Sequence, residues 1–153
     1  MNRRILIADS DERVRTGLQV LLSNAGYTVL FAVDGISLIE QAIKHQPHLV
    51  MIDFALPAGS APVLVKTLRR FPEFARTPIF VVGSKENRTS AGVVFDSGAN
   101  AFLPKPFNRQ VLFSMIARFM PNQETFSTQI PVEIMGSAPR QPVTFSRNFL
   151  YSK

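Results

Sequence analysis

Acidic, hydroxyl and amino side chains stand directly after apolar runs at several points in this 153-residue chain. Asp9 follows Ile-Leu-Ile-Ala, Asp53 ends Leu-Val-Met-Ile-Asp, Ser84 follows Ile-Phe-Val-Val-Gly, and Lys105 follows Ala-Phe-Leu-Pro. Carboxylates without histidine or cysteine nearby are hard oxygen ligands, which suit Mg²⁺. A carboxylate beside a cation and a lysine is also a nucleophile suited to a phosphoryl group, because the lysine supplies a point charge for the added negative charge.

Each of these residues also has an ordinary structural explanation. Asp9 and Asp11 suit the start of a helix, where aspartate side chains are favoured caps. Asp53 at the end of a buried apolar run and Lys105 between two prolines fit such an explanation less well. The chemical interpretation therefore depends on whether the elements bring these side chains to one place.

The apolar pattern predicts five strand–helix pairs in strict alternation between residues 4 and 120. The predicted strands are residues 4–8, 28–32, 49–52, 79–82 and 101–103. The predicted helices begin near Asp11, Asp34, Pro62, Thr89 and Asn108, the fourth being a weak helix over residues 89–97. In the second helix the predicted buried positions are Ile36, Ile39, Ala42 and Ile43.

This alternation predicts an α/β fold with a doubly wound, five-stranded parallel sheet flanked by five helices. The carboxyl ends of parallel strands lie along one edge of a sheet, and ligand sites of α/β proteins form there. The side chains that follow the strands are therefore expected to converge at that edge.

Composition excludes several classes of protein. The chain has no cysteine and only two histidines, which excludes thiol catalysis, a thiolate metal site and a multi-histidine metal centre. No apolar run is long enough to span a membrane, and no secretory signal is evident, so we expect a soluble cytoplasmic protein. The net charge of +6 is spread without a Lys/Arg run, so we expect no direct nucleic-acid binding from these residues.

The composition changes after residue 120, which predicts a domain over residues 1–120 and an extension over residues 121–153. Four of the eleven prolines fall in the extension, together with many serines and threonines. Residues 130–135 and 143–151 could form a β-hairpin, although such a short segment does not fold alone. The extension is predicted to be a linker, a packed tail or a partner-binding segment, and its apolar groups make a homodimer worth testing.

The segments that carry these residues resemble the receiver domain of two-component response regulators, such as those of chemotaxis. The matching segments are Ile-Leu-Ile-Ala-Asp at 5–9, Leu-Val-Met-Ile-Asp-Phe-Ala-Leu-Pro at 49–57, Pro-Ile-Phe-Val-Val at 78–82 and Gly-Ala-Asn-Ala-Phe-Leu-Pro-Lys-Pro-Phe at 98–107. The resemblance implies a flavodoxin-like strand order of 2-1-3-4-5.

The resemblance also implies a role for each matching residue. Asp53 would accept a phosphoryl group from a histidine kinase or a histidine phosphotransfer protein, and Mg²⁺ would bind Asp9, Asp53 and the Ala55 carbonyl oxygen. Lys105 would pair with the phosphoryl group and precede a cis peptide bond to Pro106. Phe102 would be an aromatic switch that turns with phosphorylation.

Two residues depart from the family pattern. Ser10 stands where the family has a second acidic residue, so Mg²⁺ binding is expected to be weak unless Asp11 compensates through water. Gly83 stands where the family has a threonine or serine that bonds the phosphoryl group. Ser84, one residue later, is the candidate to replace that hydroxyl.

Two hypotheses about function follow. The first is a phosphorelay receiver that signals through protein–protein contact, with at most self-catalysed phosphoryl transfer and dephosphorylation. The second is a phosphorylation-independent docking or oligomerisation module that uses the tail or the face formed by the fourth helix, fifth strand and fifth helix. The residues expected on that face are Lys85, Arg88, Phe102 and Arg109. The downstream partner is not indicated by the sequence, and a DNA-binding regulator would need a further output domain.

Overall fold

The computed structural model of the chain describes residues 2–121, so the predicted hairpin of the extension lies outside the described residues. The strands are β1 (Arg4–Ala8), β2 (Thr28–Ala32), β3 (Leu49–Asp53), β4 (Ile79–Gly83) and β5 (Ala101–Pro104). The α-helices are α1 (Glu12–Asn24), α2 (Gly35–His45), α3 (Ala61–Arg69), α4 (Ala91–Asp96) and α5 (Arg109–Phe119). Two 3₁₀ helices cover Pro72–Phe74 and Lys85–Ser90.

The five strands form one parallel sheet in the order β2-β1-β3-β4-β5, which confirms the predicted topology. Its register pairs Ala8 with Ile52, Asp53 with Val82, and Gly83 with Pro104. The carboxyl ends of β1, β3, β4 and β5 therefore lie side by side. We call this side of the sheet the carboxyl edge, and the opposite side, where the strands begin, the amino edge.

The strands are apolar on both faces because both faces are covered. Leu6, Val50 and Ile79 belong to a core shared with Leu38 of α2 and Leu64 of α3. The alternate strand residues are also almost fully buried; they include Ile5, Ile7, Leu49, Met51 and Phe80. Near-continuous apolar strands are typical of parallel sheets for this reason.

Side-chain caps set the beginnings of three helices. Asp11 accepts the Arg13 N–H before α1, Asp34 forms a capping box with Ser37 before α2, and Asn108 accepts the Val111 N–H before α5. Each cap satisfies backbone donors that have no partner within the first helical turn.

Two details of the sequence prediction are wrong. In α2 the buried residues include Leu38 and Ala42, whereas Ile36 is 63% exposed and Ile43 is 44% exposed. The predicted fourth helix is shorter than expected, because the 3₁₀ helix Lys85–Ser90 occupies its first residues. That 3₁₀ helix begins at a capping box between Ser84 and Asn87, which the apolar pattern does not reveal.

Of the described residues, 2–106 form one compact unit and 107–121 belong to a second unit. The second unit contains α5, in which Leu112, Met115 and Ile116 are buried. The guanidinium of Arg109 lies over the Phe113 ring, 5.5 Å from its centroid. Among residues 2–121, no helix is both long and apolar enough to cross a membrane.

Candidate functional site

Three charged side chains from distant parts of the sequence meet at the carboxyl edge. The Lys105 Nζ donates to Asp9 Oδ2 and to Asp53 Oδ1, each at 3.1 Å. The side chains of Asp9 and Asp53 are 6% and 13% exposed, and that of Lys105 is 32% exposed. The ammonium therefore joins two largely buried carboxylates, and Asp53 is still reached by solvent.

The charge of Lys105 is stabilised by these two carboxylates. Partial burial lowers the pKa of Lys105, but the hydrogen bonds and negative charges of Asp53 and Asp9 outweigh that effect, so the pKa is raised overall. Lys105 is therefore a fixed positive charge at any pH near neutrality.

Backbone and side-chain contacts hold Asp9 in place. Its N–H donates to the Ala32 carbonyl oxygen at 3.1 Å, and its Oδ1 accepts the Asp11 N–H at 2.9 Å. The Arg15 guanidinium donates to the Asp9 carbonyl oxygen at 2.7 Å. The sequence analysis did not single out Arg15, because its partner is a backbone atom and carries no sequence signal.

The structure separates the roles of the two aspartates that follow β1. Asp11 is the N-cap of α1 and accepts the Arg13 N–H at 2.8 Å. Asp9 lies two residues before this cap, and its carboxylate bonds Lys105 instead. A water-mediated contact of Asp11 with Mg²⁺ stays a prediction.

Asp53 is the last residue of β3, and the chain turns directly after it. The Leu56 N–H donates to the Asp53 carbonyl oxygen at 3.2 Å, which closes a turn through Phe54 and Ala55. Ala55 is exposed at the tip of this turn. The proposed use of the Ala55 carbonyl oxygen as a metal ligand stays a prediction.

At the end of β4, the side chain of Ser84 bonds within its own 3₁₀ helix. Its hydroxyl donates to Asn87 Oδ1 at 2.9 Å. The role of Ser84 as a replacement hydroxyl stays a prediction. Asn87 was missed by the sequence analysis, although Ser-x-x-Asn is a recognisable variant of a capping pattern.

Phe102 lies inside the protein beside Gly83. It is 1% exposed, and its Cζ lies 3.0 Å from the position that a Cβ on Gly83 would occupy. The next segment turns at Lys105–Pro106, where the peptide bond is cis, as the resemblance implied. The switching of Phe102 stays a prediction.

The donor set at the carboxyl edge fits Mg²⁺, although it is smaller than the family pattern. Asp9 and Asp53 point carboxylate oxygens at one common atom, Lys105 Nζ, and such oxygens are the ligands that Mg²⁺ prefers. Ser10 is exposed and supplies no carboxylate. Within residues 2–121, no three acidic or histidine side chains group together as a metal site.

Comparison with known proteins decides which family this site belongs to. The model of the family described as "Response regulator receiver domain" matches residues 5–117. The chain is a receiver domain of the response regulators. Its five-stranded parallel topology agrees with that assignment.

The relatives of this receiver domain include transcriptional regulators and solved receiver structures. The chain is 34% identical over 113 residues to the "DNA-binding dual master transcriptional regulator RpaA" of a Synechocystis species, a match that covers 74% of this chain and 47% of RpaA. A response regulator structure from Chloroflexus aurantiacus superposes with a TM-score of 0.75 at 29% identity, covering 80% of this chain and all of that one. The chain spans about half the length of the curated relatives that it matches.

One further solved structure contains a metal ion. The receiver domain of the sensor histidine kinase PA1611 from Pseudomonas aeruginosa superposes with a TM-score of 0.73 at 22% identity. The match covers 80% of this chain and 100% of that one. That structure has a magnesium ion coordinated in its active-site cleft. At this identity the likeness shows a shared fold.

Proposed function

We propose that this receiver domain accepts a phosphoryl group on Asp53 from the phosphohistidine of a histidine kinase or a histidine phosphotransfer protein. The observation that carries the proposal is the Lys105 ammonium, which lies 3.1 Å from both Asp53 and Asp9 at the carboxyl edge. Asp53 is the better acceptor of the two carboxylates, because its side chain is more exposed than that of Asp9.

The proposed reaction transfers one phosphoryl group between two side chains. An Asp53 carboxylate oxygen bonds to phosphorus as the bond from phosphorus to the donor's histidine nitrogen breaks. That nitrogen keeps the bonding electron pair. The histidine ring then takes up one proton from water and becomes a neutral imidazole. Lys105 exchanges its hydrogen bond with the Asp53 carboxylate for one with a phosphoryl oxygen, which offsets the added negative charge.

Asp9, Asp53 and the Ala55 carbonyl oxygen are the groups that would hold Mg²⁺ at this edge. When bound, the cation supplies further positive charge for the phosphoryl oxygens. Binding is expected to be weak for two reasons: Ser10 offers no carboxylate, and the Lys105 ammonium already bonds both aspartates.

Intact-mass analysis after incubation with acetyl phosphate and Mg²⁺ tests the proposal. We expect the wild-type chain to gain one phosphoryl mass, and the Asp53→Asn variant to gain none. Asp96→Asn is the matched control, because it removes an exposed carboxylate at the end of α4, outside the proposed site. A gain by Asp53→Asn equal to that of the wild type would contradict the proposal.

A second candidate function is phosphorylation-independent docking, and the end of β4 favours it. Gly83 offers no hydroxyl, and Phe102 is already buried against it. If docking is independent of phosphorylation, binding of beryllofluoride, a phosphoryl mimic, would shift only the amide resonances of residues beside Asp53. We expect a working receiver to show shifts that also reach the 3₁₀ helix Lys85–Ser90 and β5.

A further inference from the structure

The space beside Gly83 is filled by three neighbouring side chains. A Cβ on Gly83 would lie 3.0 Å from Phe102 Cζ, 3.0 Å from Phe54 Cβ and 3.1 Å from Asn87 Oδ1. Contacts at these distances are tighter than ordinary van der Waals packing, so the glycine lets these groups approach. The side-chain oxygen of Asn87 therefore lies next to the space that a side chain at position 83 would occupy.

The hydrogen bonds of Asn87 fix which way its amide points. Oδ1 accepts the Ser84 N–H at 2.9 Å and the Ser84 hydroxyl at 2.9 Å. A backbone N–H can only donate, so the oxygen must face Ser84 and the NH₂ group must face away. Within the part of the chain that the structure describes, Asn87 Nδ2 makes no hydrogen bond.

The backbone of Gly83 connects this amide to the proposed phosphorylation site. The Gly83 carbonyl oxygen accepts the Lys105 N–H at 2.6 Å, and Phe54, whose Cβ faces Gly83, directly follows Asp53. The Phe54 N–H donates to the Val82 carbonyl oxygen at 2.7 Å. The amide of Asn87 thus stands beside the strand ends that carry Asp53 and Lys105.

We propose that Asn87 is a phosphoryl-binding residue, whose NH₂ group donates a hydrogen bond to the phosphoryl group on Asp53. The inference rests on the proposed function of Asp53. An amide N–H bonded to an anionic oxygen is a charge-assisted hydrogen bond, which is stronger than one between neutral groups. Ser84 is the weaker candidate, because its only hydroxyl proton is already donated within its own 3₁₀ helix.

Beryllofluoride titration of the full ¹⁵N-labelled chain in the presence of Mg²⁺ tests the proposal. The central variant is Asn87→Asp, which keeps an oxygen for the Ser84 N–H and replaces the donor. We expect its affinity for beryllofluoride to fall by at least about tenfold. Asn87→Ala, which adds no negative charge, is expected to lose about fivefold, so that donor loss is separated from repulsion. Glu86→Gln, an exposed change on the same 3₁₀ helix, is the matched control and should match the wild type.

A second readout in the same titration observes the amide itself. The side-chain NH₂ resonances of Asn87, identified by their absence in Asn87→Asp, should move as beryllofluoride binds to the wild type. Wild-type affinity in both Asn87 variants, or a loss confined to Ser84→Ala, would overturn the role of Asn87 and leave Asp53 phosphorylation standing. Absence of binding by the folded wild type would overturn both proposals.

Discussion

At the amino edge of the sheet the Arg69 guanidinium donates to backbone carbonyl oxygens, whereas at the carboxyl edge the Lys105 ammonium donates to two carboxylates. Arg69 bonds the carbonyl oxygens of Gly98, Phe74 and Thr77 and the side-chain oxygen of Asn100. Asn100 in turn accepts the Ile79 N–H at 2.8 Å, where β4 begins. This cation joins the loops that enter β4 and β5.

A second arginine repeats the arrangement of the amino edge. Arg4 donates to the carbonyl oxygens of His45 and Gln46, where α2 ends. Its N–H donates to His48 Nδ1 at 3.0 Å, just before β3. The fixed, planar guanidinium suits several stationary acceptors, whereas an ammonium on a flexible stem can change partners. The two arginines of the amino edge therefore bond backbone atoms that the fold holds in place, whereas Lys105 bonds side chains and is partly exposed.

Arg69→Leu is expected to have the largest effect among the changes that test this difference between the two edges. We expect the free energy of unfolding to fall by about 3 kcal/mol, because several half-buried carbonyl oxygens lose a charged donor. Urea denaturation measures the change, and phosphorylation by acetyl phosphate should persist in the folded fraction. Arg70→Leu, an exposed neighbour, is the control and should cost less than about 1 kcal/mol. An equal loss of unfolding free energy in both variants would show that the hydrogen bonds of Arg69 do not stabilise the fold.

Lys105→Met is the corresponding change at the carboxyl edge. We expect the rate of phosphorylation by acetyl phosphate to fall by about 100-fold, because a preorganised positive charge is lost from the site. Rates are followed by intact mass at a temperature where both proteins are folded. A rate within twofold of the wild type would show that Lys105 belongs with the structural cations of the amino edge.

Ser10→Asp sharpens the account of the carboxyl edge. A third carboxylate should tighten Mg²⁺ binding by about tenfold, because affinity for hard cations rises with the number of charged ligands. Isothermal titration calorimetry gives the dissociation constants. Ser10→Asn, which is neutral and of similar size to aspartate, should bind Mg²⁺ as the wild type does, and a gain in that variant would disprove the explanation by charge.

The smallest effect is a pH dependence that originates at the amino edge. Burial lowers the pKa of His48, and the charges of Arg4 and Arg3 lower it further. The Arg4 backbone N–H also donates to Nδ1, which accepts a hydrogen bond only in the neutral ring. As the pH falls through about 6.5, the ordinary pKa of histidine, the unfolded chain binds a proton at His48 more readily than the folded chain does. The free energy of unfolding therefore falls as the pH falls. Urea denaturation at about pH 7.5 and about pH 5.5 measures this loss.

His48→Asn isolates that contribution. Its side-chain oxygen keeps an acceptor for the Arg4 N–H, and it does not titrate in this range. The variant should therefore lose less stability on acidification than the wild type. An unchanged loss would assign the pH dependence to other groups.

The sequence was sufficient to predict the sheet and the central residues of the site. Short apolar runs mark buried parallel strands, and the side chains that follow them must meet at one edge, which placed Asp9, Asp53 and Lys105 together. The structure brings these three side chains together at that edge. The chemical roles of the three residues remain proposals.

Other features could not be predicted, for identifiable physical reasons. In α2 the apolar residues allow more than one helical phase, and packing selects Leu38 over Ile36. Arg69 and Arg15 bond backbone atoms, whose positions depend on the completed fold. The approach of Asn87 to Gly83 depends on a local capping box and on the absence of one Cβ, which no periodic pattern records.

Whether the carboxyl edge accepts a phosphoryl group on Asp53 is decided by locating the group on the chain. The chain is treated with acetyl phosphate and Mg²⁺ and then reduced with borohydride, which converts an aspartyl phosphate to homoserine, and peptide mass spectrometry identifies the reduced position. The account predicts homoserine at position 53 and at no other aspartate. Reduction at another aspartate, with position 53 unchanged, would contradict it.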